Sequence, residues 1–258
     1  MEITLNSIAP SATIEKWYRE QMQQLMDDMR SDLIRDVVKP YRSEIAMDGI
    51  LDWMGHVVDS LVSRWQDKLE TLPSEIAKSL VEKSKTHYDK RLLNQLRKRG
   101  FTVNFRHTKF VEDQAQIALG ENVALIKSIG NQYLDKVRSA VWRSVKDGYD
   151  LESLVSQLKE IDGVEDRRAK NIAKDQCAKL NQAFEMARAE ELGITEAIWV
   201  HSSAGVEKYK RKDHVAANGT RYKIKEGCYI SGEFIQPAWK INCRCRAKLI
   251  IEAPKGVV

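Results

Sequence analysis

With 258 residues, 43% of them hydrophobic and 31% charged, the chain can bury a proper core and has the composition of a soluble globular protein. No apolar run approaches the roughly 20 residues that span a bilayer, and the opening MEITLNSIAPSATIEKW lacks the basic flank and apolar block of a secretory signal. Four cysteines, at 177, 228, 243 and 245, are too few and too uneven for a disulfide-stapled secreted domain. No membrane association is expected, and the expected home is a cytoplasm or something assembled there.

The net charge of +5 is mild, but its distribution is not even. Residues 1–10 read as a flexible tail. From Ile14 the apolar positions Tyr18, Met22, Leu25, Met29 and Leu33 recur at steps of three and four, predicting an amphipathic helix that ends near Pro40. Ile50, Met54, Val57, Leu61, Trp65 and Leu69 predict a second helix. Pro73 suits the first turn of a third, which carries Ile76, Leu80, Leu92 and Leu96 and stops at Gly100. Residues 11–72 lean acidic, whereas 85–109 are strongly basic. Phe101, Val103 and Phe105 alternate, so 101–106 is a short extended link or strand. Helical signals resume over 109–128, 131–147, 151–160 and 165–192, punctuated by Gly130, Gly148, Gly163 and Gly193, with Asp150 as an N-cap. Cys177 shares a face with Ala173, Leu180 and Phe184 and reads as core.

After Gly193 the character changes. A strand at 197–201 is followed by a loop-rich stretch containing Gly205, Asn218, Gly219, Gly227, Gly232, Pro237 and Asn242, then a final strand at 246–251. The fold class predicted is mainly α: an elongated multi-helix body over 11–194, followed by a small, loop-rich α+β C-terminal subdomain over 195–258. A domain of about 60 residues with few aliphatics needs docking on the helices or a staple.

The chemistry-bearing residues lie in that poorly cored segment. If 243–245 is extended, Cys243 and Cys245 point the same way, and two thiolates with an imidazole form a soft set suited to tetrahedral zinc. The candidate ligands are Cys243, Cys245 and His214, with His201 or Cys228 as the fourth. The competing reading is of buried thiols and hydrogen-bonded histidines around an irregular loop, and the CxC spacing alone leaves both open. Lys208, Lys210, Arg211, Lys212, Arg244 and Arg246 are candidate contacts to nucleic-acid phosphates. No GxxxxGK[ST], GxSxG or HExxH signature occurs. Asp213-His214 beside these cations is the one feature a nuclease- or transferase-type enzyme could use, and no catalytic residue is assigned.

Several ordered motifs together resemble one family. The stretch Arg168-Ala-Lys-Asn-Ile-Ala-Lys-Asp-Gln176, then 191–201 (ELGITEAIWVH), Ser202 to Gly205, Arg211, His214, Asn218-Gly219 and Tyr222, and the ending Ile241-Asn-Cys-Arg-Cys245 are similar to the phage Mu protein F-like minor head proteins, the phage head morphogenesis family. Residues 121–129, Gln132 and Tyr133 also match that pattern. The chain departs from it at Ser203, where the family often has a second histidine, and at Lys212 or Asp213, where it often has proline. The resemblance implies a virion protein built into the head of a tailed bacteriophage near the portal vertex after assembly in the host cytoplasm, with a role in genome packaging or release; with the enzyme signatures missing, no enzymatic activity is expected. Its implied partners are the portal protein, other head proteins and packaged genomic DNA. Some relatives carry fused enzymatic domains, for which no room is expected after the final strand.

Overall fold

A computed structural model describes residues 2–44, 50–148, 150–202 and 210–252. The elements are β1 (Glu2–Thr4), α1 (Ala12–Leu33), a π-helical turn (Ile34–Val38), α2 (Lys39–Glu44), α3 (Ile50–Arg97), α4 (Lys109–Lys146), α5 (Leu151–Glu191), β2 (Glu196–Val200), α6 (Lys212–Ala216), β3 (Arg221–Lys223), β4 (Cys228–Ile230), β5 (Glu233–Ile235) and β6 (Arg246–Glu252). The protein is therefore mainly α, with a small strand-containing C-terminal region. No described helix is long and apolar enough to cross a membrane.

The chain divides into two compact units, one built from Lys16–Lys78 and Gly120–Ala173, the other from Met1–Glu15, Ser79–Leu119 and Lys174–Val258.

The first unit is a helical core. Tyr18, Met22, Met29 and Leu33 of α1 are buried, as are Met54, Val58, Leu61, Trp65 and Leu69 of α3, at steps of three and four that keep one face inward. Two pairs of its buried polar atoms span distant elements: the Tyr18 hydroxyl donates to Asn122 Oδ1 at 2.9 Å, and Tyr41 and Ser144 share a 2.9 Å bond. The fully buried Glu165 pairs with Lys136 and lies 3.5 Å from Arg168. Gly130 lies inside α4, which is one helix and not two. A Cβ there would lie 2.7 Å from both methyls of Leu69 and 3.0 Å from Met29 Cε, so glycine serves close approach and not termination. Gly163 likewise lies inside α5. Pro73, expected to open a helix, lies within α3, on the buried stripe that continues from Leu69 to Ala77.

In the second unit the strands form a sheet of order β1-β6-β2-β3, all pairs antiparallel, and a separate β4–β5 hairpin. Ala197 pairs with Leu249 and with Tyr222, and Trp199 pairs with Ala247; all five side chains are buried on one face, as the period of two requires. Ser231 and Gly232 both take positive φ (51° and 90°) between Ile230 and Glu233, the two-residue geometry that matches strand twist. Residues 2–10 are not a loose tail. Glu2–Thr4 pair with 250–252, the Leu5 N–H donates to Leu249 O at 2.8 Å, and Leu5 and Ile8 are buried. Asn181 Nδ2 holds Ile8 O at 3.0 Å.

The helical side of this unit is organised by Arg188, which is 2% exposed. Its guanidinium makes a two-pronged pair with Asp89 at 2.7 and 2.6 Å, bonds Glu191 at 2.5 Å, donates to Arg106 O at 2.9 Å and lies 4.4 Å from the Phe105 ring centroid. The 101–106 stretch is a link without a strand partner, held by Arg188 and by the Arg106 N–H, which donates to Glu191 Oε1 at 2.5 Å. Cys177 is buried with Leu180 and Phe184, as its register predicts.

Candidate metal centre

His214 sits in the short α6 and is 3% exposed. Its ring meets the Trp199 indole edge-on, with centroids 5.3 Å apart and planes at 81°. α6 is tied down by Asp213, whose Oδ1 accepts from the His214 backbone N–H at 2.9 Å and whose Oδ2 accepts from Ser231 Oγ at 3.1 Å. Burial alone would raise the Asp213 carboxyl, but these bonds hold it below its ordinary value. Asp213 therefore works as a local clamp between α6 and the β4–β5 turn.

The two thiols arrive from the turn before β6. Asn242 adopts a left-handed φ of 60°, its N–H donates to Asp175 Oδ1 of α5 at 2.6 Å, and the Cys243 N–H donates to Lys240 O at 2.9 Å. Asp175 is in turn held by Lys179 at 3.0 Å. This anchored turn delivers Cys243 Sγ and Cys245 Sγ to His214 Nδ1 at 3.5 and 3.6 Å, all three residues being buried. A hydrogen bond between the two sulfurs lowers the Cys243 thiol below its ordinary value and, together with burial, raises Cys245. The buried Trp199 indole N–H is directed at Cys245 and favours its thiolate form.

Three of the five candidate ligands come together. The other two do not: among the described residues no further His, Cys, Asp or Glu joins the group. Cys228 occupies an inward position of β4 with Ile230, and burial raises its thiol. His201 lies just past β2, where its backbone N–H donates to Asn218 Oδ1 at 2.9 Å. Asp175 and Trp199 contribute to the site unforeseen. Asp175 lies in the family-like stretch 168–176, and Trp199 falls in the inward register of its strand, so both carried a signal, though not one for this role.

Of the candidate phosphate contacts, Lys208 lies outside the described residues, as does Ser203. Arg211, Lys212 and Arg244 are exposed, and Lys210 and Arg246 are half-buried. Arg211 Nη2 donates to Ile241 O at 2.9 Å, which links α6 to the CxC turn. Arg244 and Arg246 join Lys174, Ser202 and Cys245 in the wall of a cavity of about 310 Å³, with Glu15 its acidic member.

This is the chemistry of a buried soft-donor cluster with a cationic surround, on a helical protein. Residues 135–248, from within α4 to β6 and including the whole Cys/His cluster, match the model of the family described as Phage Mu protein F like protein, as the resemblance in the sequence led one to expect. That region of the chain is similar to this family. The chain is also 28% identical over 241 residues to an uncharacterized protein of Haemophilus influenzae (strain ATCC 51907 / DSM 11121 / KW20 / Rd). That alignment covers 91% of this chain and 53% of the relative, so the chain spans about half the relative's length. No solved structure matches.

Proposed function

We propose that the protein is a minor head protein of a tailed bacteriophage, associated with the portal vertex and acting without catalysis in head morphogenesis and in genome packaging or release. The observation that carries this reading is the family match over 135–248, which takes in the anchored CxC turn and its basic surround together. In this reading the partners are the portal protein, other head proteins and packaged DNA. The exposed Arg211, Lys212 and Arg244 supply the DNA contact, since phosphate neutralisation needs no reading of bases.

The test is mass spectrometry of purified virions and of empty proheads. The protein is expected in virions in few copies per head, and its absence from both particles overturns the assignment. Salt-sensitive binding to duplex DNA, weakened by charge reversal at Arg211, Lys212 and Arg244, is the expected signature of the DNA contact. Binding unchanged by those substitutions assigns it elsewhere. Pull-down of portal protein by the intact chain checks the remaining partner.

A further inference from the structure

We infer that His214, Cys243 and Cys245 hold a tetrahedral zinc-class divalent cation that fastens α6 to the start of β6. The inference rests on the geometry of these side chains and is independent of where in a phage the protein acts.

Two sulfurs stand at nearly equal distance, 3.5 and 3.6 Å, from a single ring nitrogen, His214 Nδ1. An imidazole nitrogen has one in-plane site, a proton or a lone pair, and serves one partner well. A cation placed among the three atoms serves all of them. With Zn–S near 2.3 Å, Zn–N near 2.05 Å and tetrahedral angles, the sulfur-to-nitrogen separation comes out at roughly 3.6 Å. The side chains stand at that separation, and all three ligand atoms lie within 4.8 Å of one another.

The surroundings fit the same occupant. Zinc thiolates are stabilised by N–H donors outside the coordination sphere, and the buried indole N–H of Trp199 is directed at Cys245 with no other hydrogen-bond partner among the described residues. The Asp175 carboxylate fixes the turn that presents both sulfurs. Three protein ligands leave one tetrahedral position for water, and Cys245 lines the cavity of about 310 Å³ through which a water can reach it. The local need is also physical: α6 spans five residues and the paired strands β3, β4 and β5 three each, so little backbone bonding holds this segment together.

The test begins with the full chain purified without chelators or a metal-affinity tag and equilibrated with zinc. Elemental analysis is expected to find about one zinc per chain. The double variant Cys243→Ser/Cys245→Ser is expected to lose it, while Cys177→Ser and Cys228→Ser keep it. Cobalt(II) in place of zinc is expected to give tetrahedral visible bands with a thiolate charge-transfer band. Because the double variant can fail to fold, X-ray absorption at the zinc edge on the unaltered chain is the second measurement. It is expected to show two sulfurs near 2.3 Å and a nitrogen near 2.0 Å. An unaltered chain that takes up no zinc overturns the proposal, as does a folded double variant with undiminished zinc or a zinc edge without sulfur neighbours.

Discussion

Glu185 offers the sharpest check on the energetics of the C-terminal unit. It lies on α5, 3% exposed, and burial pushes its carboxyl up to about 8 from an ordinary 4.5. The Tyr88 hydroxyl donates to Oε2 at 3.4 Å, and the Ala247 N–H, Gln182 and Arg246 also favour the charged form, but they do not offset the lost hydration. Oε1 has no partner. The folded protein therefore holds a neutral acid at pH 7, whereas the unfolded chain holds a carboxylate. The sign follows: for a raised carboxyl, stability is fully present below about pH 4.5 and is lost as pH climbs toward 8. The loss accrues at about 1.4 kcal/mol per pH step, so at pH 7 it has reached roughly 3 kcal/mol. Glu185→Gln keeps the shape and an acceptor for Tyr88 but cannot ionise. It is expected to match the parent near pH 4.5 and to exceed its stability by about 3 kcal/mol near pH 7. Urea denaturation followed by circular dichroism across that range measures the difference, in which every other titration common to both proteins cancels. A gap independent of pH, or a variant less stable at the alkaline end, would refute the desolvation argument.

Gly227 takes φ +92°, and a Cβ there would meet the backbone of Ile235 at 2.9 to 3.1 Å. Gly227→Ala should thus cost about 2–4 kcal/mol by strain and overpacking together, against a smaller loss for Gly232→Ala in open space; denaturant midpoints rank the two. Asp150 Oδ1 accepts from the Ser153 N–H at 2.9 Å. Its replacement by alanine should remove about 1 kcal/mol, and by asparagine little, again by denaturation. Trp199→Phe keeps a ring against His214 but removes the indole N–H. Zinc affinity, measured by competition with a chromophoric chelator, should fall roughly tenfold, and an unchanged affinity would take the indole out of the cation's surroundings.

Much of this was legible in the sequence because it depends on local spacing. The α1 and α3 stripes, the strands expected at 197–201 and 246–251 and found at 196–200 and 246–252, and the inward Cys177 follow from periods of 3.6 and 2, and the Asp150 cap from its acceptor carboxylate. The misreadings share one cause. Gly130, Gly163 and Pro73 read locally as punctuation, since propensity disfavours them in helix interiors. What decides Gly130 is Leu69, sixty-one positions earlier in the chain, which leaves no room for a Cβ. Residues 2–4 carry too little apolar periodicity to announce a strand, and only pairing with the edge of β6 makes them one.

The site divides along the same line. The CxC spacing is local and correctly placed two sulfurs together, but which histidine or further cysteine joins them is a question of tertiary register. Cys228 shares its strand's inward face with Ile230 and is spent on the core. His201 lies just past the end of β2, out of reach of the sulfurs, whereas Trp199, two residues earlier, is fully buried against His214. His214 reaches the sulfurs because Asp213 clamps α6 to the β4–β5 turn and Asp175 clamps the CxC turn to α5, two carboxylates that are not ligands. The identity of the three donors is therefore set by two anchoring residues, and substitution of Asp175 is a more selective way to misplace the thiols than substitution of the thiols themselves. Asp175→Asn retains an acceptor for the Asn242 N–H, and Asp175→Ala does not. If the anchor governs the site, the alanine variant loses cation affinity while the asparagine variant keeps most of it, with Cys243 and Cys245 present in both.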